Sequence, residues 1–78
     1  MVAAEKMKAE LESRLHDVMF DYKGDHYVIV PENRRDWYVC CGEDIKHYTS
    51  VDPIMNEKIY HGKSLAEIAD KLYNIEYA

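Results

Sequence analysis

Cys40 and Cys41 stand side by side in the run "WYVCCGED", and four histidines lie elsewhere at positions 16, 26, 47 and 61. Thiols and imidazoles are the groups of zinc and redox chemistry, so their spacing is the first question. The run "WYVCC" has strong strand character, and successive side chains of a strand point to opposite faces. Two neighbouring thiols therefore cannot grip one metal ion, and a vicinal disulfide would need a strained turn instead. The histidines are separated by 10, 21 and 14 residues, a spacing that matches no ligand motif on a helix or strand. The reading is a buried strand, with no metal and no cofactor. The alternative is a small zinc or redox protein in which Cys40 or Cys41 meets His26 or His47 in space.

Other constellations are weaker still. "HGKS", residues 61–64, resembles the end of a phosphate-binding loop, but Glu57 stands where the motif needs its first glycine. Glu43, Asp44 and Asp21 fall in or beside turns, where solvent keeps carboxylates ordinary. No serine or cysteine sits in a recognisable nucleophile context, and so short a chain leaves little room for an enzymatic pocket. No catalytic residue is assigned. Arg34, Arg35, Trp37 and Tyr38 form the one basic-aromatic cluster, able to stack on rings or grip an acidic partner.

These groups must be positioned by a small scaffold. The 78 residues suffice for one domain, 1–78, with 47% apolar and 32% charged residues. A domain of this size buries only about 60–65% of its unfolded surface, so its stability margin is thin. Ten basic against 15 acidic residues leave a net charge of −5, with five acids in each of residues 1–23, 24–50 and 51–78. That balance opposes nucleic-acid binding, which needs a basic face. No run approaches a signal peptide or a membrane span, so a cytoplasmic protein with reduced thiols and no membrane contact is expected.

Hydrophobic periodicity supplies the elements. Ala4, Met7, Leu11, Leu15 and Val18 recur at helical spacing and predict a helix over 3–16, supported by the Glu10–Arg14 pair. "MFDYKGDHYVIV" then alternates as two strands about Gly24-Asp25, a type II′ hairpin that sets Tyr22 opposite Tyr27 and Phe20 opposite Ile29. Pro31 closes the second strand, and "WYVCC" and "IKHYT" are the third and fourth. A two-residue loop between the latter pairs Cys40 with Ile45. A three-residue loop, preferred because it buries Trp37, groups Trp37, Val39 and Cys41 with Ile45 and His47.

A helix over 53–60 is expected next, capped by Asp52 with Pro53 in its first position, or else by Ser50, and stopped by Gly62. "SLAE" is a capping box for a last helix carrying Leu65, Ile68, Ala69 and Leu72, with Asn74 as its stop. The sum is an α+β domain: an N-terminal helix, a four-stranded antiparallel meander and two C-terminal helices on one sheet face.

The segment "SVDPIMNEKIYHGKSLAEIADKLYNIEY", together with "FDYKGDHYVIVPE", resembles a type of short uncharacterised protein from Gram-positive bacteria, their phages and mobile elements. In these a small sheet precedes a Ser-capped helix, and a Gly-Lys-Ser-Leu turn opens a last helix. The resemblance implies no activity and points to accessory proteins that act by binding other proteins. The expected function is a non-enzymatic interaction module or small regulator of an unidentified protein partner. The contact surface is either the uncovered sheet face, with Tyr38, Tyr48 and Lys46, or the Arg34-Arg35-Trp37 loop. A homodimer through the sheet is a further expectation. The rival from another class is an acidic inhibitor occupying a nucleic-acid-binding groove, which requires the acids to gather on one face.

Overall fold

The computed structural model describes residues 3–13, 15–32 and 35–78. Helix α1, Ala3–Ser13, buries Met7 and Leu11 and half-buries Ala4, as the apolar stripe requires. It stops earlier than its periodicity suggests. The Ser13 hydroxyl donates to the Glu10 carbonyl at 2.7 Å, and Leu15 beyond it is 77% exposed. Val18, the last member of the expected stripe, belongs instead to the sheet, where its β-branched side chain is fully buried. The expected partner of Glu10, Arg14, lies outside the described residues.

Strands β1 (Val18–Tyr22) and β2 (Asp25–Pro31) form the expected hairpin with a corrected turn. Lys23 and Gly24 are the two loop residues, with φ of +49° and +85°, the type I′ pattern rather than type II′. Phe20 therefore pairs with Tyr27, and Val18 with Ile29. The slip from the expected register is even, so Phe20, Tyr22, Tyr27 and Ile29 still share one face.

Strands β3 (Trp37–Cys41) and β4 (Asp44–Tyr48) are joined by the two-residue loop Gly42-Glu43. Cys40 pairs with Ile45, which overturns the three-residue alternative. Trp37 is buried all the same, because its cross-strand partner is Tyr48 and the two lie together under the helices. Burial of the indole thus did not discriminate between the registers.

The C-terminal third departs furthest. Helix α2 is Val51–Asn56, with Ser50 rather than Asp52 at the N-cap and Pro53 in the third helical position. Residues 57–60 are not helical. His61 and Gly62, both at positive φ, make a tight turn closed by two backbone bonds between Tyr60 and Lys63 at 3.0 and 3.1 Å. Gly62 serves that turn and stops no helix. Helix α3, Leu65–Ile68, opens on the expected capping box: the Glu67 amide donates to Ser64 Oγ and the Ser64 amide to Glu67 Oε1. A 3-10 turn, Ala69–Lys71, ends it.

A fifth strand then follows, β5 (Tyr73–Tyr77), where the sequence reading placed only a helix stop. Asn74, at φ +54°, sits in a bulge, and Ala78 exchanges two backbone bonds with Asp17. The antiparallel sheet has the order β4-β3-β2-β1-β5. The helices lie against one of its faces. Between the layers, Phe20, Ile29, Ile54, Tyr60 and Leu65 are each fully buried, and the Tyr60 ring packs on both Phe20 and Tyr27.

Candidate functional site

Register fixes which side chains each sheet face presents. The helix-covered face carries Val18, Phe20, Tyr22, Tyr27, Ile29, Trp37, Val39 and Tyr48. The opposite face, with no helix across it among the described residues, is also largely apolar. One cross-strand row reads Ile45–Cys40–Val28–Met19 across β4, β3, β2 and β1, and the row beside it pairs Tyr38 with Val30. Five of these six side chains are half-buried by their neighbours, and Ile45 is 65% exposed. A sheet whose second face is solvated ordinarily alternates apolar with polar residues. Here the second face is apolar through its middle.

The rim of that open face is polar and acidic. Asp21 accepts from Asn74 Nδ2 at 2.8 Å and lies 2.6 Å from His26 Nδ1. These bonds, first that from Asn74 and then that from His26, hold its carboxyl below the usual range. Asp36 lies 2.7 Å from His47 Nε2, and Glu76 faces the same side opposite Met19. Asp17 continues the β1–β5 ladder at the same parity. The seven lysines sit elsewhere: Lys6 and Lys8 on α1, Lys23 in a hairpin turn, Lys46 at a helix-side position of β4, and Lys58, Lys63 and Lys71 in the C-terminal third.

A concavity of about 270 Å³ opens beside the helix-covered face, where Asp25, Tyr27, Cys41, Asp44, Lys46 and His61 meet over Val39 and Ile59. His61 Nε2 is 2.6 Å from Asp25 Oδ2. Tyr27 is buried, and that burial, with the Cys41 thiol next, pushes its phenol up to about 12. Two carboxylates, one lysine and one imidazole give this hollow no single charge preference. Among the described residues no three metal-ligating side chains converge. Cys41 lines the hollow while Cys40 lies on the open face, so the vicinal thiols point apart as strand geometry demands.

The residues singled out from sequence are therefore divided. Tyr38 lies on the open face, half-buried and 5.1 Å from the His47 ring. Trp37 and Tyr48 are buried on the other face: the indole Nε1 donates to the Leu11 carbonyl at 3.4 Å, and the Tyr48 hydroxyl to Glu57 at 3.4 Å. Lys46 shares their side. Arg35 is exposed in the β2–β3 loop, and Arg34 lies outside the described residues. The row Met19, Val28, Cys40 and Ile45 was missed, although "YVIV" in β2 is apolar at consecutive positions, a sign that both faces of that strand meet apolar surroundings. No helix is long and apolar enough to cross a membrane among the described residues. Comparison with known proteins gives no match to a family model, to a curated protein or to a solved structure.

Proposed function

We propose that this chain is a non-enzymatic protein-interaction module whose contact surface is the open face of its sheet. The observation that carries this reading is the cross-strand row Met19–Val28–Cys40–Ile45, which no described element covers. Apolar side chains cost about 25 cal/mol per Å² to leave in water, and a contiguous apolar patch rimmed by polar groups marks a contact surface. Tyr38 is the best anchor there, an aromatic ring with a polar tip beside the row. Because Trp37 and Tyr48 lie under the helices, the interaction runs through Tyr38 and its apolar neighbours, without the Trp37 side chain.

The test compares wild type with Ile45→Lys and Val28→Lys by cross-linking in the native host. Both variants place a charge in the row at positions where a long side chain can reach water. The reading expects cross-links from open-face residues to a partner in wild type and their loss in both variants, with thermal unfolding little changed in Ile45→Lys, whose side chain is already 65% exposed. Retention of the same cross-links in both variants would remove the open face from the contact.

A further inference from the structure

We infer that the partner of the open face is a protein surface with an apolar centre ringed by lysine or arginine side chains. This rests on the open face being the contact surface and adds the chemistry of what lies against it. The acids are spread evenly along the sequence, but folding sorts the charges. Asp21, Asp36 and Glu76 border the apolar row, with Asp17 at its end, while no lysine occupies an open-face strand position. Lys23 is in the hairpin turn with its amine over the Tyr22 ring, and Arg35, in the loop beside Asp36, is the one described arginine at this border. The helix side, by contrast, mixes both signs: Lys8 pairs with Asp52 at 3.4 Å, and Lys71 lies 3.4 Å from Asp70.

Adjacency brings the rim into the contact. Glu76 is the cross-strand partner of Met19, and Asp21 stands two positions from Met19 on β1, so a partner that fits the apolar row also reaches the acidic border. There a basic group meets a carboxylate and an acidic group meets repulsion. The same border disfavours a second copy of this chain packed face to face, since each copy would bring its own carboxylates to the one interface. His26 and His47 complete the border, each already beside an aspartate.

The experiment is a titration of isotope-labelled full chain, followed by amide chemical shifts, with two synthetic amphipathic peptides. Both carry the same apolar residues; one has lysine at every polar position and the other glutamate. The expected result is that the lysine peptide moves the amides of Met19, Val28, Cys40 and Ile45, binding at least about tenfold more tightly than the glutamate peptide. Raising salt from about 0.05 M to about 0.5 M shrinks the screening length severalfold and is expected to erase most of that preference. Glu76→Lys should narrow the preference severalfold, whereas Asp70→Lys on the helix side should leave it unchanged.

Equal binding of both peptides at the open face would overturn the basic partner while leaving the contact surface standing. Shifts confined to the helix side, or none with either peptide, would overturn the contact surface itself. Sedimentation of the peptide-free chain closes the remaining route: a dimer whose contact maps to the same row makes a second copy the occupant and refutes the basic partner.

Discussion

The two faces of the sheet use similar residue types for different ends. On the covered face Phe20 stacks on Tyr27 with ring centroids 5.3 Å apart, and Tyr60 closes over both from the helix layer. On the open face Val28 and Cys40 are neighbours across β2 and β3, yet no described element lies over them. Apolar side chains thus fill both faces of β2 and β3, but only one face converts them into intramolecular packing. The difference shows that apolarity in a strand reports burial against something, and that the something need not belong to the same chain.

The largest test of this contrast removes matched side chains. Phe20→Ala should cost about 3–5 kcal/mol, enough to unfold much of so small a domain, because the cavity it leaves is closed on every side. Val28→Ala should cost well under half of that, about 1 kcal/mol, since the side chain is only partly buried and the site opens to solvent on one side. Denaturant midpoints compare the two directly. Equal losses would mean that the open face is packed as tightly as the core, and the contrast would fall.

The covering layer itself can be loosened. Ser64→Ala removes the hydroxyl half of the capping box at the start of α3, the acceptor for the Glu67 amide, while the Ser64 amide keeps its bond to Glu67 Oε1. Leu65 beside it is fully buried over the sheet. A loss of about 1 kcal/mol is expected in thermal or chemical unfolding. The backbone bond from Ser64 holds Glu67 below its ordinary pKa, with the side-chain hydroxyl adding to it. Ser64→Thr, which keeps both the acceptor for the Glu67 amide and the donor to Glu67 Oε1, should recover most of the loss. Failure of that rescue would show that the fit of this buried site matters more than its capping bond. Smaller again is Ile45→Lys, expected within about 0.5 kcal/mol of wild type because the side chain is already 65% exposed.

What could be read from the sequence follows the same division. The fold class, α1, the four meander strands and the Ser64 cap were legible because each depends on local spacing or on one cap. Strand β5 was not taken, although Tyr73, Ile75 and Tyr77 alternate with Asn74 and Glu76. Its signal was masked by the helix before it and by Asn74, which reads as a helix stop but turns a bulge instead. The β3–β4 register was undecidable from Trp37 alone, since the two-residue loop, which sets Tyr48 opposite Trp37, buries the indole as well. The candidate surface was the least legible part. Trp37 and Tyr38 face opposite ways in either register, and which of them lies under the helices is set by tertiary packing rather than by local spacing. The segregation of charge was invisible for a further reason: neighbours across the sheet, such as Asp21 and Asn74, are far apart in the chain.

That same pair gives the most delicate test, on the border of the open face. Asn74 and His26 together depress the Asp21 carboxyl below its ordinary 3.8. A folded pKa below the unfolded one stabilises the native state at pH values above the ordinary carboxylate range. That contribution disappears as pH falls from about 4 through the depressed folded value, because the unfolded chain takes up its proton first. Asp21→Asn removes the titration, so its stability curve should lack this part of the acid limb and meet the wild-type curve at low pH. The loss should also be local. The Asn74 side chain is an anchor of the bulge in edge strand β5, so protonating Asp21 should weaken hydrogen-exchange protection across Tyr73–Tyr77 before the core is affected. Acid limbs that superimpose in wild type and variant would remove Asp21 from the border's electrostatics. Uniform loss of protection across all five strands would show instead that β5 is tied to the sheet by its backbone ladder, with the Asp21–Asn74 bond an accessory to it.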